Sequence, residues 1–187
     1  MKMRAPVLLA LVLMMGVGAA LAQAGDGVLS DREVEDLRDA SFVPVDSITT
    51  YEKFLDRREK AIDELLAKPR HAGRELELHD LIDQIGAIAD ELNDHLDAYD
   101  TKHRDVRKVL PKLLLATERW STALRSAPDN DAYKVVRKVA LDAVKELHDA
   151  VTAMQPEQEE YFKAHPDAAK LEKQRMSEPH DNVTPSK

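Results

Sequence analysis

Histidine is the side chain on which metal or cofactor chemistry would turn in this chain, because the sequence has no cysteine. Glu75, His79 and Asp83 recur at steps of four. On a helix that spacing puts three ligand-type side chains on one face, where they would hold a divalent cation weakly. Glu91 and His95 repeat the spacing as a pair. The competing reading is a solvated acidic face that happens to carry histidines, since a metal site needs a full ligand set and a supporting shell. A di-iron bundle uses paired Glu-x-x-His motifs, and none occurs here; Asp100-x-x-His103 is the nearest. His-Glu-x-x-His is absent as well. His103 falls on an apolar seam, where an imidazole would serve as a noncovalent haem ligand or titrate as a pH switch. The plainer alternative packs it at the seam's end, with one nitrogen on water or on Asp100, three residues earlier.

Nucleophilic and phosphate chemistry find no motif. There is no Gly-x-Ser-x-Gly, and Gly25-Asp26-Gly27 is too short for a phosphate loop. No enzyme activity and no resident cofactor are expected. The run Lys102, Arg104, Arg107, Lys108, Lys112 would suit an anionic partner, but pairing with the chain's own acids is favoured, because these outnumber any visitor. Asn182-Val183-Thr184 matches a glycosylation sequon, to which no function is assigned.

These residues must be positioned by helices. The chain opens with Met1-Lys2-Met3-Arg4, then an apolar run from Ala5 to Leu21, then small-residue exits at Ala20-Leu21-Ala22 or Ala22-Gln23-Ala24. Basic start, short apolar stretch and small exit predict a cleavable signal peptide over 1–22 and an exported chain, periplasmic or secreted, with no transmembrane segment after cleavage. Loss of Lys2 and Arg4, with no acid, would take the formal charge from −8 to −10. One Trp, four Tyr and three Phe on so acidic a chain argue against nucleic acid as a partner. Without disulfides, stability has to come from packing.

Beyond the signal, proline punctuates segments whose apolar residues recur every three or four positions, the helical period. Ser30-Asp31-Arg32-Glu33 is a capping-box pattern and predicts a short helix to about residue 40 within an N-terminal segment, 23–46. Residues 42–45 read as an extended connector. A helix capped at Asp46 or Ser47 then runs to about Lys68, with Ile48, Tyr51, Phe54, Leu55, Ile62, Leu65 and Leu66 as its stripe.

From Leu78 to Leu124 one heptad register never slips. One position carries Leu78, Ile85, Leu92, Tyr99, Val106, Leu113 and Trp120; the other carries Ile82, Ala89, Leu96, His103, Leu110, Thr117 and Leu124. The unbroken register suggests one long helix kinked at Pro111. Charge suggests a fold-back near Asp100-Thr101: nine acids and no Lys or Arg lie from Glu75 to Asp100, and five bases with one acid from Lys102 to Lys112. The hairpin is favoured, since four helices bury more seam than two paired end to end. A last long helix reaches about Met154, Pro156 breaks it, and a short helix and a disordered polar tail fill 156–187.

The expected fold is therefore all-α: an antiparallel bundle of three to four long helices over 47–155, with short flanking helices. The expected role is non-catalytic, a protein-interaction or scaffold function in the cell envelope through a protein partner. The alternative is a metal- or haem-binding bundle using Glu75, His79 and Asp83, or His103.

Overall fold

The computed structural model describes residues 27–177. The expected signal segment, its cleavage sites and the sequon lie outside the described residues. Six helices follow in order: α1 (Asp31–Ala40), α2 (Pro44–Ala67), α3 (Arg74–Thr101), α4 (Leu110–Ser126), α5 (Lys134–Ala164) and α6 (Pro166–Ser177). No strand occurs among the described residues.

The capping box forms as its residues require. The Ser30 hydroxyl accepts from the Glu33 backbone N–H, and the Glu33 carboxylate accepts from the Ser30 N–H at 2.9 Å. Glu33 has a second task. Buried at 3% exposure, it takes both terminal nitrogens of Arg58, which pins α1 to α2. Arg58 also donates to Gln84 Oε1 at 3.1 Å and so reaches α3. Burial alone would raise the Glu33 carboxyl; the Arg58 and Ser30 hydrogen bonds more than reverse this and hold it at about 2.

Three boundaries depart from the sequence expectation, each for a local reason. The segment expected as an extended connector already belongs to α2 from Pro44, because proline's fixed φ and missing N–H suit the first helical position. Pro111 kinks no helix: it sits in the first turn of α4, where its absent donor has no partner to lose. Pro156 does not end α5, which runs through it to Ala164. The turn after Pro156 is held from outside. Buried Gln158 accepts from the Val106 N–H at 3.2 Å and donates to the Arg104 carbonyl at 3.0 Å, and Arg107 lies over the Phe162 ring. Those contacts offset the one backbone bond that proline removes.

The chain folds back between Thr101 and Leu110 instead of continuing as one helix. His103 makes the stop. It adopts φ +49°, the left-handed region, directly after the Lys102 C-cap. The Arg104 N–H then reaches the Tyr99 carbonyl, and the His103 N–H the Asp100 carbonyl, both at 2.8 Å. That is a Schellman closure with histidine in the usual place of glycine.

Residue pairs define how the long helices lie. α2 runs antiparallel to α3, linking Tyr51 to Glu91 and Arg58 to Gln84. α4 runs antiparallel to α5, linking Thr117 to His148 and Ala127 to Arg137. α3 and α5 run the same way, with Gly86 against Ala140 and Asp100 near Gln158. α2 and α4 also run the same way, with Glu52 beside Lys112 and Asp56 beside Trp120. One hydrophobic core joins all four. Trp120, Tyr51, Phe54, Ile82, Leu92 and Leu96 are fully buried, each stabilising by roughly 1.5–3 kcal/mol relative to exposure. No described helix is long and apolar enough to cross a membrane.

Candidate functional site

Of the predicted ligand residues, Glu75 and His79 are engaged separately. The Glu75 carboxylate accepts from Arg70, at 2.7 Å to Nη2, which holds it below the usual carboxylate range. His79 Nδ1 lies 3.1 Å from Asp80, and Asp83 is exposed one helical turn further along α3. Glu91 accepts the Tyr51 hydroxyl at 2.8 Å, while the His95 ring lies against Tyr51 and Tyr99. Burial first, and Glu91 second, push the Tyr51 hydroxyl up, so it remains a donor throughout the physiological range. Among the described residues no group of three or more His, Asp or Glu side chains is placed to hold a metal ion.

His103 stands outside the core, exposed on the α3–α4 turn. Its ring stacks on Tyr161 at 4.1 Å, and His165 stacks on the same tyrosine at 4.4 Å. The turn that His103 begins is thereby pressed onto the last turns of α5.

The basic run is not a helical face, because residues 102–109 leave the α-helix. Arg104 pairs with buried Glu172 of α6. Arg107 pairs with Asp105 at 2.8 Å and reaches Glu159 at 3.5 Å. Lys112 reaches back to Glu52. These cations hold the molecule's own elements together.

A groove between α2 and α4 was not singled out from the sequence. It encloses about 610 Å³ and is lined by Glu59, Asp63, Leu115, Glu118, Arg119, Thr122, Ala123 and Ser126. Its α2 wall is Glu59 and Asp63, which continue a stripe of acids with Glu52 and Asp56 at i, i+4, i+7 and i+11, hence on one face. Facing them on α4, at steps of seven, stand Lys112, Arg119 and Ser126.

The first two rungs are matched. Lys112 Nζ lies 3.0 Å from Glu52, whose other carboxylate oxygen, Oε1, is buried without a partner. Arg119 bridges Asp56 at 2.7 Å and Glu59 at 3.8 Å, and the Trp120 indole N–H donates to the same Asp56 oxygen at 2.9 Å. Burial raises the Glu59 carboxyl; Arg119 pulls it down, and Asp56 and Asp63 push it up again, leaving it above the usual range.

The third rung has no cation. The Asp63 and Glu118 carboxylates make no hydrogen bond or ion pair among the described residues. Arg125, next to Ser126, is turned toward the α5 side, where it lines a separate concavity with Arg137 and Leu141. Leu115, 61% exposed, stands in the groove wall. The acidic stripe on α2 was the available sequence signal. Its significance needed the knowledge that α4, and not another helix, lies opposite.

No protein-family model, no curated protein and no solved structure matches this chain.

Proposed function

We propose that this protein is an exported, non-catalytic interaction module of the cell envelope, whose partner is another protein docking on the α2–α4 side. The observation that carries the reading is the groove itself. It joins exposed Leu115 and the Ala123 methyl to carboxylates that the fold leaves without partners, a combination suited to recognising another chain. Export rests on the basic, apolar and small-residue order of residues 1–24. The finer architecture in this reading is an up-down four-helix bundle, ringed α2–α3–α5–α4, with the α3–α4 turn crossing its diagonal. The support is that residue pairs link each of those four neighbours.

The test is photo-crosslinking in the exporting cell, with a photoreactive residue at Thr122 in the groove and, as control, at Glu64 on the exposed side of α2. The expected result is a discrete adduct from position 122 and none from 64. Reproducible absence of any adduct from groove positions would refute the interaction reading. Mass measurement of the exported chain tests cleavage: it should begin at Gln23 or Gly25.

A further inference from the structure

We infer that the occupant of the α2–α4 groove is a basic amphipathic helix of a partner protein, which places a Lys or Arg at the rung that Ser126 leaves open beside Asp63 and an apolar side chain on Leu115. The inference rests on the interaction reading above and specifies its chemistry.

Charge arithmetic along the groove carries it. Glu52, Asp56, Glu59 and Asp63 descend one face of α2. Lys112 and Arg119 answer the first three, and the next position in their seven-residue series is Ser126, too short and uncharged to answer the fourth. Asp63 and Glu118 line the same groove from opposite helices, and Arg119, the cation that shares it, is taken up by Asp56 and Glu59. An incoming ammonium or guanidinium beside Ser126 would meet the free Asp63 carboxylate, and a second one about two turns back along α4 would meet Glu118. An anionic occupant would meet both as repulsion.

The apolar part of the groove selects for more than a simple ion. Leu115 and Ala123 lie a little over two turns apart on α4 and share the groove with the Thr122 side chain. A helix with cations along one edge and leucine-like residues along the next satisfies both sets at once, the usual logic of a helix laid in a groove. A volume near 610 Å³ has room for a few side chains of such a helix.

The probe is a fluorescein-labelled amphipathic Leu/Lys helix of about four turns, long enough to hold helical structure once docked. Its counterpart carries Glu for every Lys. Fluorescence anisotropy is read with the full mature chain. The Lys peptide should bind and weaken with added salt, and the Glu peptide should not bind. Leu115→Glu should weaken binding at least about tenfold, and Asp63→Asn about three- to tenfold. Ser126→Lys supplies the missing cation in cis. It should weaken the peptide as much as Asp63→Asn while leaving the urea midpoint unchanged or higher, a readout that separates occupancy of the rung from damage to the fold. Asp90→Asn, on the distant acidic side of α3, should leave binding unaltered.

Equal binding of the two peptides, an undiminished affinity in Ser126→Lys, or an equal loss in Asp90→Asn would each overturn the inference. If the peptide fails to bind but Thr122 still crosslinks a partner, this inference falls and the interaction reading stands. If neither signal appears, both fall.

Discussion

The two flanks on which helices run side by side in the same direction are built from opposite materials. On the α3–α5 flank the backbones come close enough that a Cβ on Gly86 would lie 3.2 Å from the Ala140 Cα, and Ile82, Ala89, Ala143 and Leu147 are buried alongside. On the α2–α4 flank the helices are bridged by Lys112–Glu52, by Arg119–Asp56 and by the Trp120 indole on Asp56, with a groove beyond them. Close apolar contact returns dispersion and water release on every atom. An ion-pair ladder pays desolvation first and recovers only part of it. The first flank serves stability. The second gives up some of it and leaves carboxylate oxygens without partners.

The sharpest way to break this contrast is to unpair a buried ion that is fully satisfied. Arg58→Met takes away both hydrogen-bonding nitrogens of the buried Glu33 carboxylate, leaving it only the half-exposed Arg57 at 3.1 Å, and should cost about 3 kcal/mol or more in urea unfolding. The same variant should lose much of a pH dependence, Arg57 and the Ser30 hydrogen bonds keeping the rest. The Glu33 carboxyl sits at about 2 against an ordinary 4.5, so its contribution is complete above 4.5 and disappears as pH falls through 2. Unfolding midpoints measured from pH 6 down to pH 2 should fall less steeply in Arg58→Met than in the unsubstituted protein.

Next in size is Gly86→Leu, which drives a side chain into the Ala140 backbone. A loss of about 3 kcal/mol is expected, near the upper end for overpacking, because backbone cannot step aside as a side chain can. Ala123→Leu, facing the groove, should cost less than about 1 kcal/mol; an equal cost at the two sites would erase the distinction between the flanks.

The Glu52–Lys112 rung gives a smaller effect whose sign depends on which partner is removed. Lys112→Met strands a fully buried carboxylate and should destabilise by about 1–3 kcal/mol. Glu52→Met removes a group that already has an unpartnered oxygen, and should be neutral or stabilising. Thermal melts of both single variants decide this, and a large loss in Glu52→Met would show that the ladder is a stabilising device after all.

The smallest effect lies at the turn where the two halves of the molecule join. His103→Gly should be more stable than His103→Ala by about 1 kcal/mol, because both lose the Tyr161 stacking and only glycine adopts positive φ without strain. Parity between the two in chemical denaturation would argue against a left-handed residue there.

Much of the core was legible in the heptad register. Of the seam residues from Leu78 to Leu124, every one is buried except His103. The end of α1 and the capping box were legible too, since Ser30 and Glu33 are neighbours in sequence. What stayed hidden depends on contacts distant in sequence. The register spans the α3–α4 turn without a slip, so periodicity alone did not separate one helix from two. The stop is made by a histidine in a glycine's role, with Gln158, some fifty residues later, holding the turn from α5. The same contacts carry α5 through Pro156. The groove was hidden for a like reason: the acids of α2 are plain in the sequence, while the identity of the helix opposite them is a property of the fold.

The intact register across residues 102–109 has a consequence for assembly. Straightened into helix, that turn would still present Tyr99, Val106 and Leu113 along one stripe, so the open chain loses the turn's own contacts and little else. Its α4 and α5 would then find the same neighbours on a second copy, and two chains would trade halves. Weakening the turn with Gln158→Leu should favour this exchange, visible as a slowly dissociating dimer in size-exclusion chromatography at high protein concentration; a variant that stays monomeric would show that other contacts keep the hinge closed.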